Sequence, residues 1–188
     1  MNMFQSNKLD DFDAYFSLCS DDYYQYIEGY KKSVYFLIGY ATSPCSNVTD
    51  KHCLVFPIMF LAFHCIEIAM KNVIYECGGK QMNTHKLDHI YDKCLSSYIR
   101  FSKDKGFSYK REDFKDLDEN MRAFLEYEYF KSAATFKYPQ DTAGNLHFKK
   151  KPIDQEKINL SVFQSMFKTV LTRLEGLVAD VKFKGGNL

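Results

Sequence analysis

Apolar residues recur at helical spacing along most of this chain. The most apolar stretch runs from Leu54 to Gly79, and Leu54, Phe56, Ile58, Met59, Phe60, Leu61, Ala62 and Phe63 leave its first half without a polar face. Such a segment predicts a helix enclosed by other helices. Pro57 suits a first helical turn, where a missing N–H costs little, so the helix is expected to start within a residue or two of it and to end at Gly78 and Gly79. Before it, Ser20 followed by Asp21 and Asp22 is a helix-start signal for the repeat Tyr23, Ile27, Tyr30, Val34, Leu37, Ile38 and Ala41. The polar residues 42–51 predict the connecting loop.

After the two glycines, Asn83 or Thr84 is placed to cap a third helix with Leu87, Ile90, Tyr91, Cys94, Leu95, Tyr98 and Ile99 on its buried face. Arg111 onward predicts a fourth, with Phe114, Leu117, Met121, Phe124, Leu125 and Tyr129 inward. A last helix, capped by Asp154, carries Phe163, Phe167, Val170, Leu171, Leu174, Leu177, Val178 and Val181. Between these two, residues 135–139 and 146–148 alternate with a period of two around Asp141, Gly144 and Asn145. The predicted fold is therefore all-α, an up-down bundle of four to five helices with one short extended or hairpin segment near residues 135–148. No stretch is long or biased enough to be a linker, so a single domain over residues 1–188 is expected.

Charge changes this picture little. Lys plus Arg (25) nearly balances Asp plus Glu (24), which excludes a whole-molecule field for nonspecific nucleic-acid binding. The six cysteines form no CxxC pair and read as reduced thiols. The first residues lack a basic stretch followed by an apolar one, and the apolar run before His64 is about half of what a membrane span needs. A cytoplasmic protein with no membrane association is expected.

The sharpest polar feature is His64, Glu67 and Lys71, spaced i, i+3 and i+7 on one stripe of the apolar helix. The stripe reads either as part of a site in a helical groove or as an ion pair at the core's edge, the commoner outcome. His85 and His89 stand four apart, but two imidazoles with no third ligand at a diagnostic spacing predict no metal site, and no other cofactor is expected. Arg122, near the middle of the fourth helix, is a candidate to reach a groove. There is no Walker-type loop, GxSxG elbow or HExxH.

In their order, Glu67-Ile68-Ala69-Met70-Lys71, then Thr84-His85-Lys86-Leu87, then Phe136-Lys137-Tyr138-Pro139 before Asp141 and Gly144 resemble the HEPN (higher eukaryotes and prokaryotes nucleotide-binding) domains. In many of these the central helix reads E-L-x-L-K, the next begins near H-x-L, and an R-Y-P-like segment follows. The resemblance spans roughly residues 23–148. It implies a helical bundle, often a homodimer, used in bacterial defence, toxin–antitoxin and RNA-processing systems. The family's ribonucleases carry an R-x(4–6)-H motif that this chain lacks, since none of Arg100, Arg111, Arg122 or Arg173 precedes a histidine at that spacing. The nearest substitute is the run from Lys80 to His85, where a lysine replaces the bidentate arginine.

Three functions follow from the resemblance and the residues. The missing motif favours a dimerising module that binds a nucleotide, RNA or partner protein through His64, Glu67, Lys71, Arg122, Lys137 and Tyr138. The alternative is a metal-independent endoribonuclease or nucleotidyl-transfer enzyme, with His85 as general acid or base, Lys71 or Lys137 steadying the phosphate and Glu67 orienting Lys71. A purely structural bundle is the third.

Overall fold

A computed structural model describes residues 23–80, 82–125, 134–137, 143–144 and 158–186 of the chain. The helices are α1 (Tyr23–Ala41), α2 (Val48–Glu76), α3 (Leu87–Asp104), α4 (Lys115–Leu125), entered through a 3-10 turn at Arg111–Phe114, the single turn α5 (Ala134–Lys137), and α6 (Leu160–Gly185). The described residues contain no strand, so the fold is the expected all-α bundle.

α2 is the axis, packing against α1, α3, α5 and α6. Tyr23 meets Tyr75 at one end of the α1–α2 pair and Tyr30 meets His64 further along, so the two run antiparallel. Phe124 against Phe163 and Asp116 against Arg173 set α4 antiparallel to α6. The buried apolar residues form one cluster. Aromatic rings cross it: Phe63 of α2 is stacked on Phe136 of α5 at 5.5 Å and edge-on to Phe124 of α4 at 5.6 Å. Phe124 meets Phe163, Phe163 stacks on Phe167, and Tyr35 of α1 closes the row. Each such pair adds about 1 kcal/mol beyond the area it buries.

Several boundaries differ from the sequence expectation. α2 begins at Val48, well before Pro57, because Asn47 and Asp50 form a capping box. Asn47 Oδ1 accepts from the Asp50 N–H at 2.8 Å, and the Asp50 carboxylate accepts from the Asn47 N–H at 3.3 Å. The loop shrinks to residues 42–47, and Pro57 lies inside the helix. Nor is the first half enclosed: Leu54, Val55, Phe60 and Leu61 are half-buried and Phe56 is exposed. The end of α2 is as expected. Gly78 turns left-handed (φ 71°), the Gly78 N–H donates to the Tyr75 carbonyl and the Gly79 N–H to the Ile74 carbonyl. A Cβ at Gly79 would lie 2.7 Å from the Ile74 side chain, so the approach admits only glycine.

α3 starts at Leu87 behind Lys86, which offers no side-chain cap; Thr84 accepts from the Lys86 N–H at 3.2 Å instead. α6 starts at Leu160, capped by Asn159, which accepts from Ser161 and Val162. Asp154, expected as that cap, lies outside the described residues, as do Tyr129 and the residues before Tyr23. Residues 135–137, expected to be extended, belong to the helical turn α5, where Phe136 docks on Phe63 in the core. The rest of that segment, apart from residues 143–144, lies outside the described residues. By length and composition α2 is the one helix among the described residues able to cross a membrane, and half of its most apolar window is buried in the fold.

Two substitutions test where α2 starts. Asn47→Ala is expected to lower stability by about 1 kcal/mol by removing the cap. Pro57→Ala is expected to raise it, by up to about 3 kcal/mol, by restoring a backbone hydrogen bond. Urea unfolding reads both, and a stabilising change at Asn47 or a destabilising one at Pro57 contradicts the assigned start.

Candidate functional site

In the second half of α2 the helical repeat puts His64, Glu67 and Lys71 on one stripe, and the Gly78–Gly79 turn brings the next segment back alongside it. Leu87, fully buried, pins the far end of that segment. His85, two residues earlier, thereby reaches Glu67. Glu67 Oε1 accepts from Lys71 Nζ at 2.8 Å and pairs with His85 Nδ1 at 2.9 Å. His64 Nδ1 stands 3.8 Å from Oε2, too far for a hydrogen bond. Oε2 is buried and has no hydrogen-bond partner among the described residues. The His64 ring itself sits edge-on to Tyr30 at 5.0 Å and stacked over Phe60 at 5.8 Å.

Glu67 is only 2% exposed. Burial pushes its carboxyl up, but the combined pull of His64, the Lys71 ammonium and His85 is larger and brings it down to about 2. His64 acts at its range through the polarity of its ring. An ionised carboxylate can only accept, so Nδ1 of His85 carries the proton in that bond. Nε2 is then the ring's free nitrogen, on a side chain 71% exposed. Lys71, by contrast, is only 13% exposed and is neutralised by Glu67.

Four of the residues singled out from the sequence, His64, Glu67, Lys71 and His85, thus converge on one carboxylate. Arg122 does not join them. It is exposed on α4, one turn beyond Asp118, whose carboxyl burial pushes up and Arg111, Tyr91 and Arg122 together hold below its usual range. Lys137 is exposed at the end of α5 and is not among the partners of Glu67. Tyr138 lies outside the described residues. Among the described residues no three His, Cys, Asp or Glu side chains group as a metal site would require. Burial pushes the Cys65 and Cys77 thiols up to about 12, so neither is poised as a nucleophile.

Sequence reasoning missed two clusters. Arg111 bridges Asp92 at 2.9 Å and Asp118 at 3.0 Å over the Tyr91 ring. Lys184, 3% exposed, bonds Asp180 at 2.5 Å and lies 4.3 Å from the Phe107 ring centre and 4.5 Å from that of Tyr109. Only the Asp180–Lys184 spacing signals this second cluster in the sequence.

No family model matches the chain, and neither the curated proteins nor the solved structures contain a protein that matches it.

The Glu67 carboxyl titrates below its unfolded value, so its partners' stabilisation is complete above about pH 4.5 and is lost as pH falls toward about 2. The window is worth on the order of 3 kcal/mol. Urea unfolding of wild type and Glu67→Gln across it should show the wild type losing its advantage as acid is added. A stability difference that stays constant with pH contradicts the assignment.

Proposed function

We propose that this chain is a HEPN-like helical module of a bacterial defence, toxin–antitoxin or RNA-related system, which binds RNA or a nucleotide by its phosphate, in the cytoplasm and without a membrane or cofactor. The observation that carries the reading is the bond between buried, ionised Glu67 and His85 Nδ1, which fixes the ring and leaves Nε2 outward, an acceptor in the neutral ring and a donor to phosphate in the protonated one. Exposed Lys80 and Lys86 stand on either side of His85 in the sequence, and α3 begins two residues after it with no cap from the Lys86 side chain, Asp88 Oδ1 accepting from the His89 N–H at 2.8 Å. Asp88 in the first turn tempers that positive end, so the segment supplies a few donors and point charges and no deep anion cradle.

Binding is favoured over cleavage by what surrounds the imidazole. Phosphoryl transfer needs a cation at the charge that develops on the phosphate. Lys71 is already bonded to Glu67 and largely buried, and Arg122 is exposed on α4, outside the Glu67 cluster. A second reading, a metal-independent endoribonuclease or nucleotidyl-transfer enzyme, is favoured by the same Glu67–His85 pair, because a carboxylate-oriented imidazole is a competent acid or base.

Fluorescence anisotropy with labelled RNA and a labelled nucleotide, run beside a metal-free cleavage assay on tRNA, separates the readings. The module reading expects binding by wild type, a loss of about tenfold in His85→Ala with unchanged circular dichroism, and no cleavage. Cleavage that disappears in His85→Ala establishes the enzyme. Equal binding by both proteins with no cleavage removes His85 from function and leaves the Glu67 cluster a structural ion pair.

A further inference from the structure

Between α6 and the start of α4, with the 3-10 turn before it, the fold leaves a groove of about 320 Å³ that neither the core nor the Glu67 cluster uses. That volume is at the lower end of what small-molecule sites enclose. The buried side chains of Phe114, Leu117 and Leu177 form its floor. Gly176 keeps it open on the α6 side. A glycine inside a helix costs stability relative to alanine, and a Cβ built at Gly176 meets nothing within 4 Å, so the packing of the chain does not call for it.

The rim is polar and its charges are unevenly matched. Arg173 turns both Nε and Nη2 onto Asp116 Oδ2, so these two groups answer one another. Asp113 has no cation beside it among the described residues. Its Oδ2 accepts from the Lys110 N–H at 2.8 Å, which holds the carboxylate in place and leaves Oδ1 to the groove and the solvent. On the α6 side of the rim the exposed Thr172 hydroxyl makes no hydrogen bond among the described residues.

We infer that this groove is a binding site for a small primary amine with a compact hydrocarbon body. The ammonium bonds Asp113 Oδ1, with the Thr172 hydroxyl on the same rim as a further acceptor, and the hydrocarbon lies on Phe114, Leu117 and Leu177 in the space left at Gly176. The charges choose this ligand. A carboxylate or phosphate would meet Asp113, with the one cation of the rim already engaged by Asp116. A neutral molecule would displace water from Asp113 Oδ1 and offer only a neutral hydrogen bond in return. An ammonium brings a charge-assisted one, about twice as strong. Since the floor is made of apolar side chains, the rest of the ligand carries no second charge. The site shares no residue with the Glu67 cluster and is independent of whether His85 binds phosphate.

Titration of the full, isotope-labelled chain by two-dimensional NMR tests it with three compounds of one skeleton: cyclohexylmethylamine, cyclohexylmethanol and cyclohexanecarboxylate. The amine is expected to shift the resonances of the groove residues with a dissociation constant in the low millimolar range, as suits about eight heavy atoms, and to bind at least about tenfold more tightly than the other two. Asp113→Asn keeps an oxygen for the Lys110 N–H but loses the charge, and should reduce amine binding about tenfold, to the level of the alcohol. Gly176→Leu fills the groove and should abolish amine binding with an unchanged circular dichroism spectrum, because the new side chain enters open space and leucine favours the helix. Equal binding of the three compounds overturns the proposal, as does the absence of amine binding at tens of millimolar. Amine binding that survives Gly176→Leu also overturns it.

Discussion

A carboxylate placed 2% exposed in the most apolar helix of the chain is the constraint on which the middle of the molecule depends. Taking such a charge out of water costs several kcal/mol, and it stays ionised only if donors surround it. Lys71, one turn along, supplies one from the same helix. The second donor, His85, has to come from elsewhere, and this is what fixes the path of the segment after α2. The left-handed turn at Gly78 and the close approach at Gly79 send the chain back, and Leu87 anchors it in the core two residues past His85. Remove the carboxylate and this path loses its polar reason, although Leu87 and the α3 core face still hold the helix itself.

The same constraint limits what the cluster does. A carboxylate that accepts from both Lys71 and His85 spends its charge on the lysine, so the lysine does not serve an incoming anion. Glu67 Oε2 is also unpartnered but buried, so the polar atom of the cluster that faces water is the second nitrogen of the His85 imidazole. A ring held by a buried anion and open to water on its other side favours a donor or proton carrier for a large, surface-bound ligand more than a closed pocket for a small one. That geometry suits recognition of a phosphate on a chain, where the ligand brings its own bulk.

Legibility from sequence divides along the distance over which each signal acts. The i, i+3, i+7 spacing named His64, Glu67 and Lys71 because all three lie on one helix. His85 was visible as a residue, but its bond to Glu67 crosses 18 positions and exists only because the glycine turn and Leu87 fold the segment back. The start of α2 was misplaced because Pro57 is a strong local signal, while the Asn47–Asp50 capping box sits in a stretch whose composition reads as loop. Enclosure of the first half failed for another reason. An apolar run says that burial is favourable, not which neighbours arrive to provide it, and burial along α2 is densest from Ala62 onward. At residues 135–137 a two-residue period over so short a span could not outweigh one contact, Phe136 on Phe63.

That incomplete enclosure connects the two faces of the molecule. Hydrophobic segments are kept half-bare in a folded chain at a real cost in solubility, and here the half-bare start of α2 follows the point where the Tyr40 hydroxyl of α1 reaches Asp50. The opposite end of the same hairpin holds the Glu67 cluster, where Tyr30 of α1 lies edge-on to His64. Tyr26, one turn before Tyr30, is exposed on α1. A single two-helix hairpin therefore carries exposed rings on the outer face of α1 and an anchored imidazole beside α2. Packing of α1 on α2 places the Tyr30 ring edge-on to His64, one turn from Glu67, so the hairpin's own contacts hold one wall of the site.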